Sequence, residues 1–255
     1  MLPADAQEYR RWLGRDCDID HPRAHSEFVT RKKYTDRSAL LTKTADKIAC
    51  RDWVAEQGLS EILTPAFVTR DIDEAVANIT PSCFVKMNNA SGRNLRVETV
   101  RGNERQQLEA WWSLPYGEDK GEWCYQDIEP GVVIEPILLP PIHVVWRLLC
   151  WYGVPRYIEA HEYEYNKTLT HTMYTLPDYA PVDVVINDRD RRDVARPVEL
   201  ERMLEIARVL SRPFDFVRVD LFGSVYFSEL THYPRSGRYK YTPDSFDFEL
   251  GKEWR

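Results

Sequence analysis

The chain has no CxxC pair. Its five cysteines stand apart at positions 17, 50, 83, 124 and 150. An odd count at wide spacing suits free thiols in a reducing compartment. No charged start followed by an apolar run marks a signal peptide, and no window is long and apolar enough to span a bilayer. The most apolar region, residues 134–151, is broken by prolines, His143 and Arg147. A cytoplasmic location is the expectation. GxxxxGK[ST] does not occur, nor does GxGxxG, so a Walker loop and a dinucleotide fingerprint are both excluded. A positive balance is missing too: 34 Lys and Arg stand against 41 Asp and Glu, a formal charge of −7. That argues against nucleic acid as a partner, which needs concentrated positive charge. Internal repeats, low-complexity tracts and long linkers are also absent.

What the chain does have is size and aromatic content. Its 255 residues, 43% hydrophobic, suffice for one large domain or two small ones. The 8 Trp and 14 Tyr can line a groove as well as a core. Residues 31–33, Arg-Lys-Lys, form a local charge run that reads first as a solvated face and second as a hold for an anion. Residues 44–58 read as a helix, capped by Thr44 or Asp46 and ended by Gly58. Lys47 falls near its N-terminus, where free amides favour a phosphate; a plain surface lysine is the alternative. Residues 83–87, CFVKM, read as a buried strand carrying Lys86, followed by a polar loop with Ser91 and Gly92. A lysine there can meet a phosphate while loop amides cradle it, or it can snorkel from an ordinary hairpin.

Glu135 lies inside the apolar run VVIEPIL, where a buried carboxylate needs a partner or a ligand; it can equally face solvent on an edge strand. Residues 123–126 read as extended. Residues 142–150 and 156–160 read as paired strands around Tyr152-Gly153, with Arg147 interrupting the first. Residues 161–178 show little periodicity. A charged loop at 187–192 holds Arg189, and residues 197–210 form the clearest helix.

The stretch Phe216 to Gly237 reads as strand, turn at Gly223-Ser224, strand and polar loop. Side chains alternate with a period of two, so a tight hairpin can bring Asp220 and Glu229 to one face, beside Ser228 and Thr231. Two carboxylates and hydroxyls on stiff strands suit a hard cation such as magnesium. An amphipathic hairpin with its acidic face in water is the other reading. Arg218, two residues before Asp220, lies on the same side, to pair with it or to face a phosphate. The whole reads as α+β with mostly antiparallel sheets, a phosphate-binding enzyme using a metal, or a carbohydrate- or nucleotide-binding module without chemistry.

In their order, TADKIACRDWV, CFVKMNNASG, VVIEP, VRVDLF, VYFSELTHYPRSG and YTPDSFDFELG resemble the TupA-like branch of the ATP-grasp superfamily, from about Leu41 to Gly251. The resemblance implies two mostly antiparallel sheet subdomains with a nucleotide site between them. Its boundaries imply an N-terminal extension over 1–40, N-terminal and lid subdomains over 41–132, and a C-terminal subdomain with the metal site over 133–255. It implies ATP and magnesium. Lys47, Lys86, Ser91, Gly92 and Glu135 take the nucleotide positions, and Asp220, Glu229 and Thr231 the metal positions. Arg218, Arg147 and Arg189 take the positions that stabilise phosphate or acyl phosphate. The implied activity is a carboxylate–amine ligase in surface polysaccharide or peptide-conjugate biosynthesis, joining a small-molecule or glycan-linked carboxylate to an amine donor. A kinase of a sugar hydroxyl and an inactive glycan- or nucleotide-binding protein are the alternatives. Val145, Trp146 and Arg147 stand where the family pattern often has Asp-Tyr-Lys; His232 and Arg235 depart from it as well.

Overall fold

The computed structural model describes residues 1–138, 140, 142–164, 167–223 and 225–254. They divide into two compact units. One combines residues 1–36 with 139–255, and the other is the contiguous stretch 37–138.

The contiguous unit opens with two short helices, α3 (Ala39–Ala45) and α4 (Lys47–Glu56), the opening segment of the other unit carrying α1 (Pro3–Leu13) and α2 (His25–Thr35). Asp46 caps α4, its carboxylate accepting from the Ile48 amide at 2.9 Å. Then come β1 (Phe67–Thr69), α5 (Ile72–Ala77), β2 (Cys83–Met87), β3 (Asn94–Val97), α6 (Glu104–Trp112) and β4 (Val132–Pro136). The strands form an antiparallel sheet in the order β1-β4-β2-β3. Cys83, Val85 and Met87 of β2 alternate inward, and with Val132, Ile134, Ala75 and Leu108 they build this unit's core. Residues 123–126, expected to be extended, hold a 3₁₀ turn at Trp123–Tyr125 instead.

The discontinuous unit contains β5 (Ile142–Trp151), β6 (Val154–Glu164), β7 (Lys167–Thr175), β8 (Val185–Ile186), α7 (Leu200–Ser211), β9 (Phe216–Phe222), β10 (Tyr226–Thr231), β11 (Tyr241–Thr242) and α8 (Ser245–Gly251). Five of these strands form an antiparallel sheet in the order β10-β9-β5-β6-β7, and β8 pairs with β11. The hairpin around Tyr152-Gly153 occurs as expected. Gly223 adopts φ 56°; Ser224, the other residue of the expected turn, lies outside the described residues. The apolar stripe of α7, Met203, Leu204, Ile206, Ala207 and Leu210, is buried and packs on β5, β6 and β9.

Two readings of the sequence are corrected here. Residues 161–178, aperiodic in hydropathy, supply the end of β6 and all of β7. Most of their buried positions, His161, Glu162, His171 and Thr172, are polar, so burial does not register as an apolar alternation. The 31–33 run is not a solvated face, nor open to an anion, at two of its three positions. Lys32 and Lys33 are buried; Lys33 pairs with Asp5 at 2.6 Å and donates to the Ser236 carbonyl at 3.0 Å, while Lys32 pairs with Asp36 and Asp215. The expected α+β class with two antiparallel sheets holds. Among the described residues no helix is long and apolar enough to cross a membrane.

Candidate active site

Strand β9 is buried along its whole length, including Arg218 and Asp220. A central strand with two ionised residues needs a dense network to hold them. The register supplies it. Glu229 stands directly across from Asp220, and Thr231 from Arg218. Simple alternation from the Phe222–Tyr226 pair would set Ser228 opposite Asp220. An irregularity between Phe227 and Glu229 shifts the register by one and turns the glutamate to the aspartate's side.

Across β9 the row continues: Asp220 faces Arg147 on β5, and Arg147 faces Glu159 on β6. Arg218 grips Asp220 with both ends of its fork, Nε to Oδ1 at 2.7 Å and Nη2 to Oδ2 at 2.6 Å. It also donates to Thr231 Oγ1 at 3.1 Å and to the Tyr239 hydroxyl at 3.2 Å. Thr231 donates to Glu229 Oε1 at 3.1 Å. Arg147 Nε lies 3.5 Å from Asp220 Oδ2. Burial pushes the Asp220 carboxyl up to about 6, and the Arg218 and Arg147 guanidiniums limit that rise.

This donor set fits magnesium. Both carboxylates and the threonine hydroxyl are hard oxygen donors, and the Asp220 oxygens keep lone pairs beyond the guanidinium bonds. Among the described residues no cluster of three or more His, Cys, Asp and Glu forms a metal site of its own. Magnesium needs none, because it commonly takes one or two carboxylates and completes its shell with water and substrate phosphate.

The contiguous unit carries the other candidates. Lys86 on β2 meets Glu135 on β4, Nζ to Oε2 at 2.5 Å. Glu135 is buried and also engages Arg51 at 3.3 Å and the Thr64 hydroxyl. Burial alone would raise its carboxyl, but the Lys86 ammonium, with help from Thr64 and Arg51, holds it below the usual carboxylate range. Lys47 is the first residue of α4 and donates from Nζ to the Ala90 carbonyl at 2.6 Å. Asn88 Nδ2 donates to Asp46 at 2.8 Å, tying the start of the loop to the start of that helix. Ser91 and Gly92 are exposed beyond this tie, and Gly92 has a left-handed φ of 76°.

The structure thus brings Arg147, Arg218, Asp220, Glu229 and Thr231 together on one sheet, and Lys86 with Glu135 on the other. Arg189 stands apart, exposed in the turn after β8, although its charge reaches His161 on β6. Sequence reasoning missed Glu159, His161, Tyr163 and His171, which lie on the same sheet as the Asp220 cluster. The signal was present: Glu159, His161 and Tyr163 recur with a period of two.

Among solved structures, D-alanine–D-alanine ligase from Helicobacter pylori matches with 16% identity and a TM-score of 0.46 over 82% of this chain and 59% of that one. The ATP-grasp ligase PsnB complexed with its minimal precursor matches with 10% identity and a TM-score of 0.41 over 76% and 53%. D-alanine–D-alanine ligase from Bacillus anthracis complexed with ATP matches with 16% identity and a TM-score of 0.40 over 75% and 54%. The chain therefore spans between half and three fifths of the length of those structures. No curated protein matches it. The family model described as TupA-like ATPgrasp matches residues 27–255. The chain belongs to the TupA-like ATP-grasp family.

Proposed function

We propose that the chain is an ATP- and magnesium-dependent carboxylate–amine ligase that works through an acyl phosphate, in the biosynthesis of a surface polysaccharide or peptide conjugate. The observation that carries the reading is the opposition of Asp220 and Glu229, produced by a register shift and backed by two arginines. Asp220 on buried β9 and Glu229 on the neighbouring β10 are both held by Arg218, which leaves hard carboxylate oxygens side by side for a divalent cation.

In this reading Lys47 and Lys86 take ATP phosphates, with the amides of the Ser91-Gly92 loop, and Glu135 accepts ribose hydroxyls. Asp220, Glu229 and Thr231 hold magnesium, which when bound neutralises phosphate charge and orients the transferring group. The substrate carboxylate attacks the γ-phosphorus, and ADP leaves. Arg218 and Arg147 offer fixed positive charge to the anionic acyl phosphate in a site already arranged before substrate arrives. An amine then attacks the acyl carbon and phosphate departs. Alignment and charge stabilisation do the work, with no covalent enzyme intermediate.

The test is Glu229→Ala. Its side chain is about one third exposed (31%), so the fold tolerates the change. Magnesium-dependent ADP release should fall roughly a hundredfold or more, and the magnesium-dependent thermal shift at saturating ATP should vanish. Wild-type turnover by purified Glu229→Ala rejects the metal assignment. A phosphorylated hydroxyl as product, with no amide, rejects ligation in favour of phosphoryl transfer.

A further inference from the structure

Beyond Arg147 the polar face of the five-stranded sheet does not end. Arg147 Nη2 donates to the Tyr163 hydroxyl at 2.6 Å. That hydroxyl lies 2.7 Å from His161 Nδ1. The Tyr163 oxygen accepts from the guanidinium, and in the His161 tautomer with Nδ1 unprotonated its own proton is donated to that nitrogen. His161 meets His171 edge to face, ring centroids 4.1 Å apart. His171 Nε2 lies 3.1 Å from Glu159 Oε2, and the Tyr239 hydroxyl lies 3.5 Å from the same oxygen. Arg218 donates to Tyr239, which closes the chain of contacts back to Asp220.

Nothing in the acyl-phosphate chemistry above uses this half of the ring. Glu159 and His171 are almost wholly buried, at 0% and 1% exposure. Glu159 Oε1 and His171 Nδ1 have no hydrogen-bond partner among the described residues. Orphaned polar atoms of this kind are costly to keep in a core, so they mark a site built for something other than stability. Tyr163, by contrast, is half-buried.

We propose that Tyr163 is the group that takes the proton from the attacking amine, passing its own hydroxyl proton to His161, with Glu159 and His171 positioning His161. This rests on the ligase reading and supplies the base that reading lacks. The nitrogen forms a bond to the acyl carbon as the carbon–oxygen bond to phosphate breaks. The ammonium form of the amine gives up two protons overall. One goes to the Tyr163 oxygen while the Tyr163 proton moves to His161 Nδ1; the other leaves with the phosphate. The surroundings suit the roles. Burial raises Tyr163, with Arg147 opposing, so the hydroxyl keeps its proton at rest. Burial, then the charges of Arg147, His171, Arg218 and Arg189, oppose protonation of His161 and keep the imidazole neutral at rest, with a lone pair on one ring nitrogen. The anionic acyl phosphate, on arrival, offsets those arginines and raises the imidazole's affinity for a proton.

The test separates the two nucleophile classes. Hydroxylamine is unprotonated near neutral pH and captures an acyl phosphate as hydroxamate without help from a base. A substrate amine arrives as an ammonium ion. Full-length protein is supplied with ATP, magnesium and a carboxylate–amine pair that the wild type joins, with and without hydroxylamine. Tyr163→Phe and His161→Gln should each lower the ratio of amide to hydroxamate at least tenfold, as loss of a general base does. Tyr163→Phe takes a hydrogen-bond partner from Arg147 and from His161, so its unfolding midpoint should fall modestly, and the amide-to-hydroxamate ratio, taken within the folded variant, is insensitive to that loss. An unchanged ratio in Tyr163→Phe overturns the inference and leaves the ligase reading standing. No hydroxamate from the wild-type protein overturns both.

Discussion

Glu135 occupies a strand that is otherwise Val, Val, Ile and Pro, and such a carboxylate must be met by charge or ligand. That much was readable from the sequence. Its partners were only half readable. Lys86 lies on the neighbouring strand of a recognisable motif, whereas Arg51 and Thr64 come from segments with no pattern linking them to it. The pair's worth is measurable. Lys86→Met removes the ammonium and leaves the carboxylate buried with weaker support, at a cost of about 3 kcal/mol. Adding Glu135→Gln should restore at least half of that loss, because the uncompensated charge goes as well. Urea unfolding of both variants and of the wild type gives the cycle. A loss below about 1 kcal/mol for Lys86→Met would place the pair with ordinary exposed ones.

Among the elements, the amphipathic ones were legible and the polar ones were not. The stripe of α7 announced itself at helical spacing. Strands β6 and β7 did not, because the face they share with the site is lined by groups that hydropathy counts as surface. The β9–β10 hairpin falls between. A tight hairpin can bring Asp220 and Glu229 to one face, but here it is the extra residue in the register shift that does so, and no periodicity reports it. Helix α8 shows how tightly elements fit where glycine intervenes. A methyl group at Gly251 would strike the Arg23 carbonyl oxygen and approach the Ala24 carbonyl carbon at 3.2 Å. Those are backbone atoms that cannot swing aside. Gly251→Ala gains about 1 kcal/mol of helix propensity but should lose about 1–3 kcal/mol to overpacking. The expected result is a lower urea midpoint, and a midpoint above wild type would show that α8 is free to slide.

The molecule as a whole should lose stability in mild acid through its buried imidazoles. His25 accepts a hydrogen bond at Nδ1 from Trp254 Nε1 at 3.0 Å and touches Phe216 and Trp151 edge-on. Burial lowers it to about 3, and burial with the Lys32 charge lowers His232 to about 3 as well. Both values lie below the ordinary 6.5, so between about 3 and 6.5 the unfolded chain binds protons that the folded chain refuses. Stability therefore falls as pH falls through that window, by up to about 1.4 kcal/mol per pH unit for each group. The expected readout is the difference in slope between wild type and His25→Phe, in which carboxylates titrating over the same range cancel. Equal slopes would mean that His25 is charged in the folded state. This dependence was invisible in the sequence, since spacing does not show which of six scattered histidines are buried.

The divided unit has a consequence for synthesis. Ser26 bonds to Asp247, 221 positions later, and Lys33 to Ser236, 203 positions later. Residues 37–138 find their sheet partners within their own contiguous stretch. On the ribosome that inserted body can therefore close first, while the opening helices emerge early and wait for their long-range partners until the final strands and α8 have been translated. In the order of assembly, the first thirty-six residues belong to the end of the protein.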